Sequence, residues 1–226
     1  MEIKTIAKIT EANDAIAAGI KSILRGKKIM AVNLIGAPGS GKTTLLERLI
    51  PALEAEGLHS VVIEGDMCTS ADAERIGVLG IPVVQINTQN MGGACHLDAN
   101  MIRAALADLP LEGASFLFIE NVGNLVCPAE FEVGEELKAV VLSAPEGDDK
   151  PAKYPLAFSV AKLMIVNKVD LIPYTNFDLE KAKTAARLLN PDLEVFEISA
   201  RTNLGLPYLV RWLVNYREKL FAVGEI

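Results

Sequence analysis

A doubly wound, mostly parallel α/β sheet is the fold that this sequence predicts, and three observations lead to it. Short apolar runs alternate with longer amphipathic ones along nearly the whole chain, the pattern of strands joined by crossover helices. Half of the 226 residues are hydrophobic but only 5% are aromatic, so the core must be built from Ile, Val, Leu and Ala, as in strands covered on both faces. One of the apolar runs leads directly into a complete glycine-rich phosphate-binding motif.

The elements follow in order. Residues 9–25 place Ile9, Ile16, Ile20, Ile23 and Leu24 at spacings that suit one helical face, and Gly26 ends that helix. Strands are predicted at 29–35, 60–64, 81–86, 115–120, 137–142, 162–167 and 193–198. Helices are predicted between them at 42–56, 70–77, 96–108, 177–189 and 205–219. The polar stretch 144–153 (APEGDDKPAK) reads as an exposed loop, not an interdomain linker, so one domain over residues 1–226 is expected.

Composition excludes several classes. The formal net charge is −7 and there is no basic run, which argues against nucleic acid or a membrane surface as partner. No stretch reaches 18 uninterrupted apolar residues, and Glu2, Glu11 and Asp14 interrupt anything that could resemble a signal peptide. A cytoplasmic location is expected. There, Cys68, Cys95 and Cys127 are better read as core, metal or redox residues than as a disulfide framework.

The strand at 29–35 runs into Gly36-Ala37-Pro38-Gly39-Ser40-Gly41-Lys42-Thr43, the GxxxxGK[ST] pattern of P-loop NTPases with a strand before it and a helix after. Glycines let the backbone wrap a phosphate chain, and the helix N-terminus supplies N–H donors and positive dipole. Lys42 is expected to reach the β- and γ-phosphates and the Thr43 hydroxyl to ligate Mg²⁺, with Thr44 beside them in the first helical turn. Asp66 and Glu120 each end a strand, where open α/β sheets hold ligands. Together with Lys42 they are the expected catalytic and magnesium-side residues, and Gly123 is placed near the γ-phosphate. Asp72 and Arg75, three apart on a helix, are equally an ion pair.

The strand at 162–167 ends in Asn167-Lys168-Val169-Asp170, an NKxD pattern that resembles the guanine-recognition element of GTPases. The Asp170 carboxylate can accept from both N1–H and the exocyclic amine of guanine, whereas adenine would leave it unpaired. Lys168 is expected to cover the base, Asn167 to tie this loop to the P-loop, and Ser199-Ala200 to form a second base loop. GTP is therefore the expected nucleotide.

One of the two histidines adjoins a cysteine in Cys95-His96, and Cys127 follows Glu120 by seven positions. Thiolate and imidazole suit late first-row ions such as Ni²⁺ and Zn²⁺. Three ligands leave a four-coordinate site short, so water or a second subunit would complete it; the alternative is unrelated buried packing.

With these motifs together, the chain resembles the hydrogenase nickel-incorporation GTPases (the HypB family), over nearly its whole length. GAPGSGKT at 36–43, EGDMCTSADAERI at 64–76, GGACHLDA at 92–99, ENVGNLVCP at 120–128 and NKVD at 167–170 carry the likeness. The resemblance implies a homodimer in the GTP state, with Ni²⁺ or Zn²⁺ held at the interface by Cys95, His96 and Cys127 of two chains. It also implies delivery of nickel to the precursor of a nickel–iron hydrogenase large subunit, with a small zinc-containing maturation partner. Many members carry an N-terminal Cys- or His-rich nickel tract; MEIKTIAKIT at 1–10 has neither, which leaves the Cys95, His96 and Cys127 site. The competing readings are a related metallochaperone or cobalamin-associated GTPase, a P-loop small-molecule kinase, and a zinc-stabilised dimer that merely binds GTP.

Overall fold

The computed structural model describes residues 4–66, 70–89 and 93–222, with side chains from residue 11 onward. Cys68 lies outside the described residues. In chain order the elements are α1 (Lys4–Gly26), β1 (Met30–Ile35), α2 (Lys42–Ala55), β2 (Ser60–Asp66), α3 (Ala71–Gly77), β3 (Val83–Asn87), α4 (Ala99–Leu106) and β4 (Phe116–Glu120). They continue with α5 (Cys127–Glu130), β5 (Leu137–Ser143), α6 (Lys150–Lys153), α7 (Pro155–Val160), β6 (Leu163–Asn167), α8 (Leu179–Leu189), β7 (Glu194–Glu197) and α9 (Leu206–Ala222).

All seven predicted strands form, and every pairing is parallel, in the order β3-β2-β4-β1-β5-β6-β7. The strands alternate with period two between two apolar faces. Phe116 and Phe118 join Met30, Val32, Leu34 and the α2 and α9 leucines on one side. Leu117 and Ile119 meet Ala17, Ile20 and Leu24 of α1 and Ile102 of α4 on the other. Toward the β6 edge, Val140, Leu142, Met164 and Val166 pack against α7 and α8. The sheet order reverses on either side of β1, so the crevice of the doubly wound topology opens at its C-terminal end.

Three expectations are corrected. Ile23 does not join the buried face of α1: it is exposed, and Ala17 takes its place. The stretch 144–153 is not a simple loop but a 3₁₀ turn at Ala144–Glu146 followed by α6, with Ala144 and Pro151 buried. The six-residue α7 and four-residue α5 were not foreseen, because fewer than two helical turns give no readable period. No helix among the described residues is long and apolar enough to cross a membrane.

Candidate functional site

The P-loop fills the space between the end of β1 and the start of α2. Gly41 caps α2 with φ of 91°, and a Cβ there would stand 2.5 Å from the Asn167 amide nitrogen, so only glycine fits. Lys42 opens the helix and folds its buried ammonium back toward the Gly36 carbonyl (3.3 Å). Burial holds its pKa below the ordinary lysine value, opposed by the nearby Glu120 charge. The Thr43 hydroxyl donates to Glu120 Oε1 at 2.8 Å.

Glu120 has an acidic neighbour that the sequence reading passed over. Glu64 on β2 stands in register opposite Glu120 on β4, and both are buried, each with an Oε2 that has no hydrogen-bond partner among the described residues. Burial, with Glu120 adding to it, pushes the Glu64 carboxyl up to about 8. Burial also raises Glu120 to about 7, against the pull of Lys42 and the Thr43 hydrogen bond. Orphaned carboxylate oxygens beside a threonine hydroxyl form the hard oxygen set that Mg²⁺ takes, so the residues present fit that ion. The same cleft, about 440 Å³, is lined by Pro38, Gly39, Thr44, Asp66, Asp72, Arg75 and Gly123. Arg75 is tied within it: it pairs with Glu47 (2.7 Å) and Asp72 (2.9 Å) and donates to Thr44 Oγ1 (3.1 Å).

On the far side of the P-loop, one buried side chain joins three loops. Asn167 donates to the Ser40 carbonyl (3.0 Å) while its oxygen accepts from Lys168 N (2.8 Å) and Ala200 N (3.1 Å). Lys168 adopts the left-handed conformation, and its ammonium reaches the Gly39 carbonyl at 2.6 Å. A recess of about 220 Å³ is lined by Gly41, Thr44, Asn167, Lys168, Asp170 and Ala200. Ser199 lies behind it, fully buried, with its hydroxyl accepting from Thr202 N. A larger groove, about 690 Å³ between α2 and α9, shares none of the motif residues.

Cys95, His96 and Cys127 come together with their ligand atoms all within 4.8 Å of one another. The two sulfurs are 2.6 Å apart, and His96 Nδ1 is 3.9 Å from Cys95 Sγ. The His96 ring stacks on Phe131 at 4.0 Å, and burial lowers its pKa, which favours the neutral imidazole that ligates metal. The hydrogen bond to Cys127 holds the Cys95 thiol up.

Asn124 joins the two sites, by its backbone on one side and its side chain on the other. Gly36, the first P-loop residue, forms an antiparallel bridge with Asn124, and the Asn124 amide donates to the Cys95 carbonyl at 3.2 Å. Gly123 packs so closely on Pro38 that a Cβ would fall 2.8 Å from its ring. Glu64, Asn124 and Phe131 were not singled out in the sequence; for Glu64 a signal existed, an acid in the apolar run VVIEG.

The family model for the CobW/HypB/UreG nucleotide-binding domain matches residues 30–197. The hydrogenase maturation factor HypB of Escherichia coli (strain K12) is 47% identical over 209 residues, covering 92% of this chain and 71% of that protein. The probable hydrogenase maturation factor HypB of Methanocaldococcus jannaschii is 40% identical and covers 92% of this chain and 93% of its own. Among solved structures, HypB from Helicobacter pylori in complex with nickel aligns with a TM-score of 0.87 at 37% identity, over 93% of this chain and 97% of that one. HypB from Archaeoglobus fulgidus aligns with a TM-score of 0.83 at 38% identity, over 92% and 99% of the two chains.

Proposed function

Since this chain belongs to the HypB hydrogenase maturation factors of the CobW/HypB/UreG family, we propose that it is a GTP-hydrolysing nickel metallochaperone whose metal affinity and dimerisation follow its nucleotide state. Lys42 and the P-loop amides would bind the phosphates, and Asp170 would read guanine through its two donors. Thr43, Asp66 and Glu120 would hold Mg²⁺, which when bound neutralises charge on the transferring phosphate. Glu64 stands in register beside Glu120 and extends that acidic set. Arg75 lines the cleft but is engaged by Glu47, Asp72 and Thr44, so intrinsic hydrolysis is expected to be slow, well below about one per second.

Nickel is the cargo. Cys95, His96 and Cys127 offer three ligands, and a second copy of the chain, or water, would complete the coordination. Zn²⁺ competes for the same donors. The solved relative from Helicobacter pylori is described as a nickel complex, which favours Ni²⁺ here. Expected partners are a hydrogenase large-subunit precursor and a small zinc-containing maturation protein, in the cytoplasm.

The observation that carries the proposal is the continuous link from the P-loop to the backbone of a thiol-bearing residue, Gly36 to Asn124 to the Cys95 carbonyl. A nucleotide that orders the P-loop and the 120–127 segment has a direct handle on the metal ligands. By reciprocity, metal must then change nucleotide affinity by the same factor. The test is Ni²⁺ and Zn²⁺ titration with GDP and with a non-hydrolysable GTP analogue, on wild type and on Cys95→Ala/Cys127→Ala, following oligomeric state. Cysteine-dependent binding that differs between nucleotides is expected. Zn²⁺-driven dimerisation indifferent to nucleotide would instead support a metal-stabilised dimer.

A further inference from the structure

Lys138 is a basic residue buried at the start of a strand, beneath a polar groove that Lys21, Glu132 and Glu136 also line. It belongs to β5, is 4% exposed, and pairs with the buried Glu135 (3% exposed) at 3.5 Å and with the half-exposed Glu132 at 3.6 Å. Taking two such groups out of water is costly, and an apolar pair of similar volume often serves stability as well or better. The pair therefore calls for a reason other than stability.

Its hydrogen bonds supply one. Lys138 donates to the carbonyls of Ala129 (3.4 Å), two residues after Cys127, and Phe131 (3.1 Å), whose ring stacks on His96. Glu135 accepts from Val133 N (2.8 Å) through one oxygen and from the Asn33 amide (3.0 Å) through the other. Asn33, fully buried on β1, accepts in turn from the Asn121 amide (3.2 Å), and Asn121 accepts from Leu97 N (3.1 Å), next to His96. The chain Lys138–Glu135–Asn33–Asn121 thus starts at the Cys127 segment, crosses two strands that feed the nucleotide cleft, and ends at the Cys95-His96 segment. Asn33 lies three residues before the P-loop, and Asn121 directly follows Glu120.

We propose that this buried relay, with Lys138 and Asn33 as positioning residues, sets the relative placement of the two segments that bring Cys95, His96 and Cys127 together. None of its four side chains is a ligand. The metal half of the proposal rests on the site reading above, but the positioning half does not.

The test replaces the relay by carbon. Asn33→Leu/Glu135→Leu/Lys138→Met removes the buried Lys138–Glu135 pair and the Asn33 amide together, so neither charge of that pair is left buried and alone, and Glu132 keeps its half-exposed carboxylate. With fold and GDP affinity retained, Ni²⁺ affinity is expected to fall on the order of ten-fold or more, as for outer-shell partners of other metal sites. The thiolate-to-nickel charge-transfer band should shift or broaden, a signature that loss of stability alone does not move. In metal-free protein, amide exchange should quicken at Leu97 and at 129–133. Unchanged exchange there overturns the relay, whether or not the wild type binds nickel. Unchanged Ni²⁺ affinity and spectrum, with Cys95→Ala abolishing binding, overturns its role in the metal site. Metal binding that survives Cys95→Ala strikes the site reading instead, and the exchange result then decides the relay. If the triple variant does not fold, Glu135→Gln keeps the hydrogen bond from Asn33 and removes only the charge; the same exchange change is expected on a smaller scale, and its absence overturns the relay.

Discussion

The nucleotide cleft and the cysteine–histidine site lie on either side of residues 121–126, yet they are built by different means. The cleft hangs on the ends of β1, β2, β4 and β6, whose relative positions are fixed by continuous backbone ladders. The candidate metal ligands Cys95, His96 and Cys127 sit in two segments outside those ladders. Side-chain hydrogen bonds join them: Asn124 to the Cys95 carbonyl, Asn121 to Leu97 N, and Asn13 of α1 to both Ala99 N and the Glu132 carbonyl. A ladder is strengthened by its neighbours, whereas single side-chain bonds of about 1 kcal/mol each give a local structure that opens more easily. The softer of the two sites is thus the one suited to change with nucleotide state.

The largest effect that would separate the two is on Lys42. Lys42→Ala removes the ammonium from the phosphate site, and kcat for GTP hydrolysis is expected to fall by two to three orders of magnitude, the cost of one well-placed charge donor. Ni²⁺ affinity of the nucleotide-free protein should stay as it is. A parallel loss of metal binding would mean that the sites are not separately built.

Asp170→Asn sharpens the account of the base recess. Losing a charged acceptor facing two donors costs about 1.5–3 kcal/mol, so GTP affinity should drop roughly ten- to a hundred-fold. Xanthine presents a carbonyl where guanine has its amine, and an Asn amide can donate to it. Xanthosine triphosphate should therefore gain relative to GTP, measured by competition against a fluorescent nucleotide. No gain would place the base elsewhere than the recess lined by Asp170.

The acids at the cleft predict a pH dependence of their own. Glu120, held at about 7, must lose its proton to take Mg²⁺, so Mg²⁺ affinity should fall toward ten-fold per pH unit below pH 7. For the ligand-free protein the sign is fixed by the raised carboxyls. Glu64 titrates at about 8 in the folded protein against 4.5 in the open chain, so the protonated acid favours folding. That stabilisation is present below pH 4.5 and lost as pH rises through 8. The melting temperature without Mg²⁺ or nucleotide should decline over that window, and Glu64→Gln should flatten the decline. A Glu64→Gln profile identical to wild type would assign the dependence to other groups.

The same contrast explains what could be read from the sequence. GAPGSGKT and NKVD are contiguous, because a backbone cradle must be made from consecutive residues; the octapeptide and tetrapeptide therefore announce it. The seven strands were legible because each is an apolar run of the right length. Cys95, His96 and Cys127 could be named by ligand chemistry, but their supports at Asn13, Asn33, Asn121, Asn124 and Lys138 could not. A single polar residue in a strand or loop carries no period, and its partners lie up to 119 residues away. Even so, Asn33 in MAVNLI and Lys138 in LKAVVL were visible oddities. A polar side chain in a run that the fold buries on both faces must find a hydrogen-bond partner.

Asn124 offers the smallest effect and the most direct test of how the two sites speak to each other. Its backbone belongs to the cleft, through the bridge to Gly36, and its side chain to the thiols, through the Cys95 carbonyl. Asn124→Ala leaves the first contact and removes the second. If coupling passes through that hydrogen bond, the ratio of Ni²⁺ affinities with the GTP analogue and with GDP should move toward one. The change is expected to be few-fold, corresponding to about 0.5–2 kcal/mol of coupling. Affinity for GDP alone should hold, since the P-loop keeps its backbone partner. If Ni²⁺ affinity falls equally in both nucleotide states and the ratio stays put, Asn124 supports the loop without transmitting anything. The coupling would then have to run through the close packing of Gly123 on Pro38, where a Cβ added at Gly123 would force the Pro38 ring to shift.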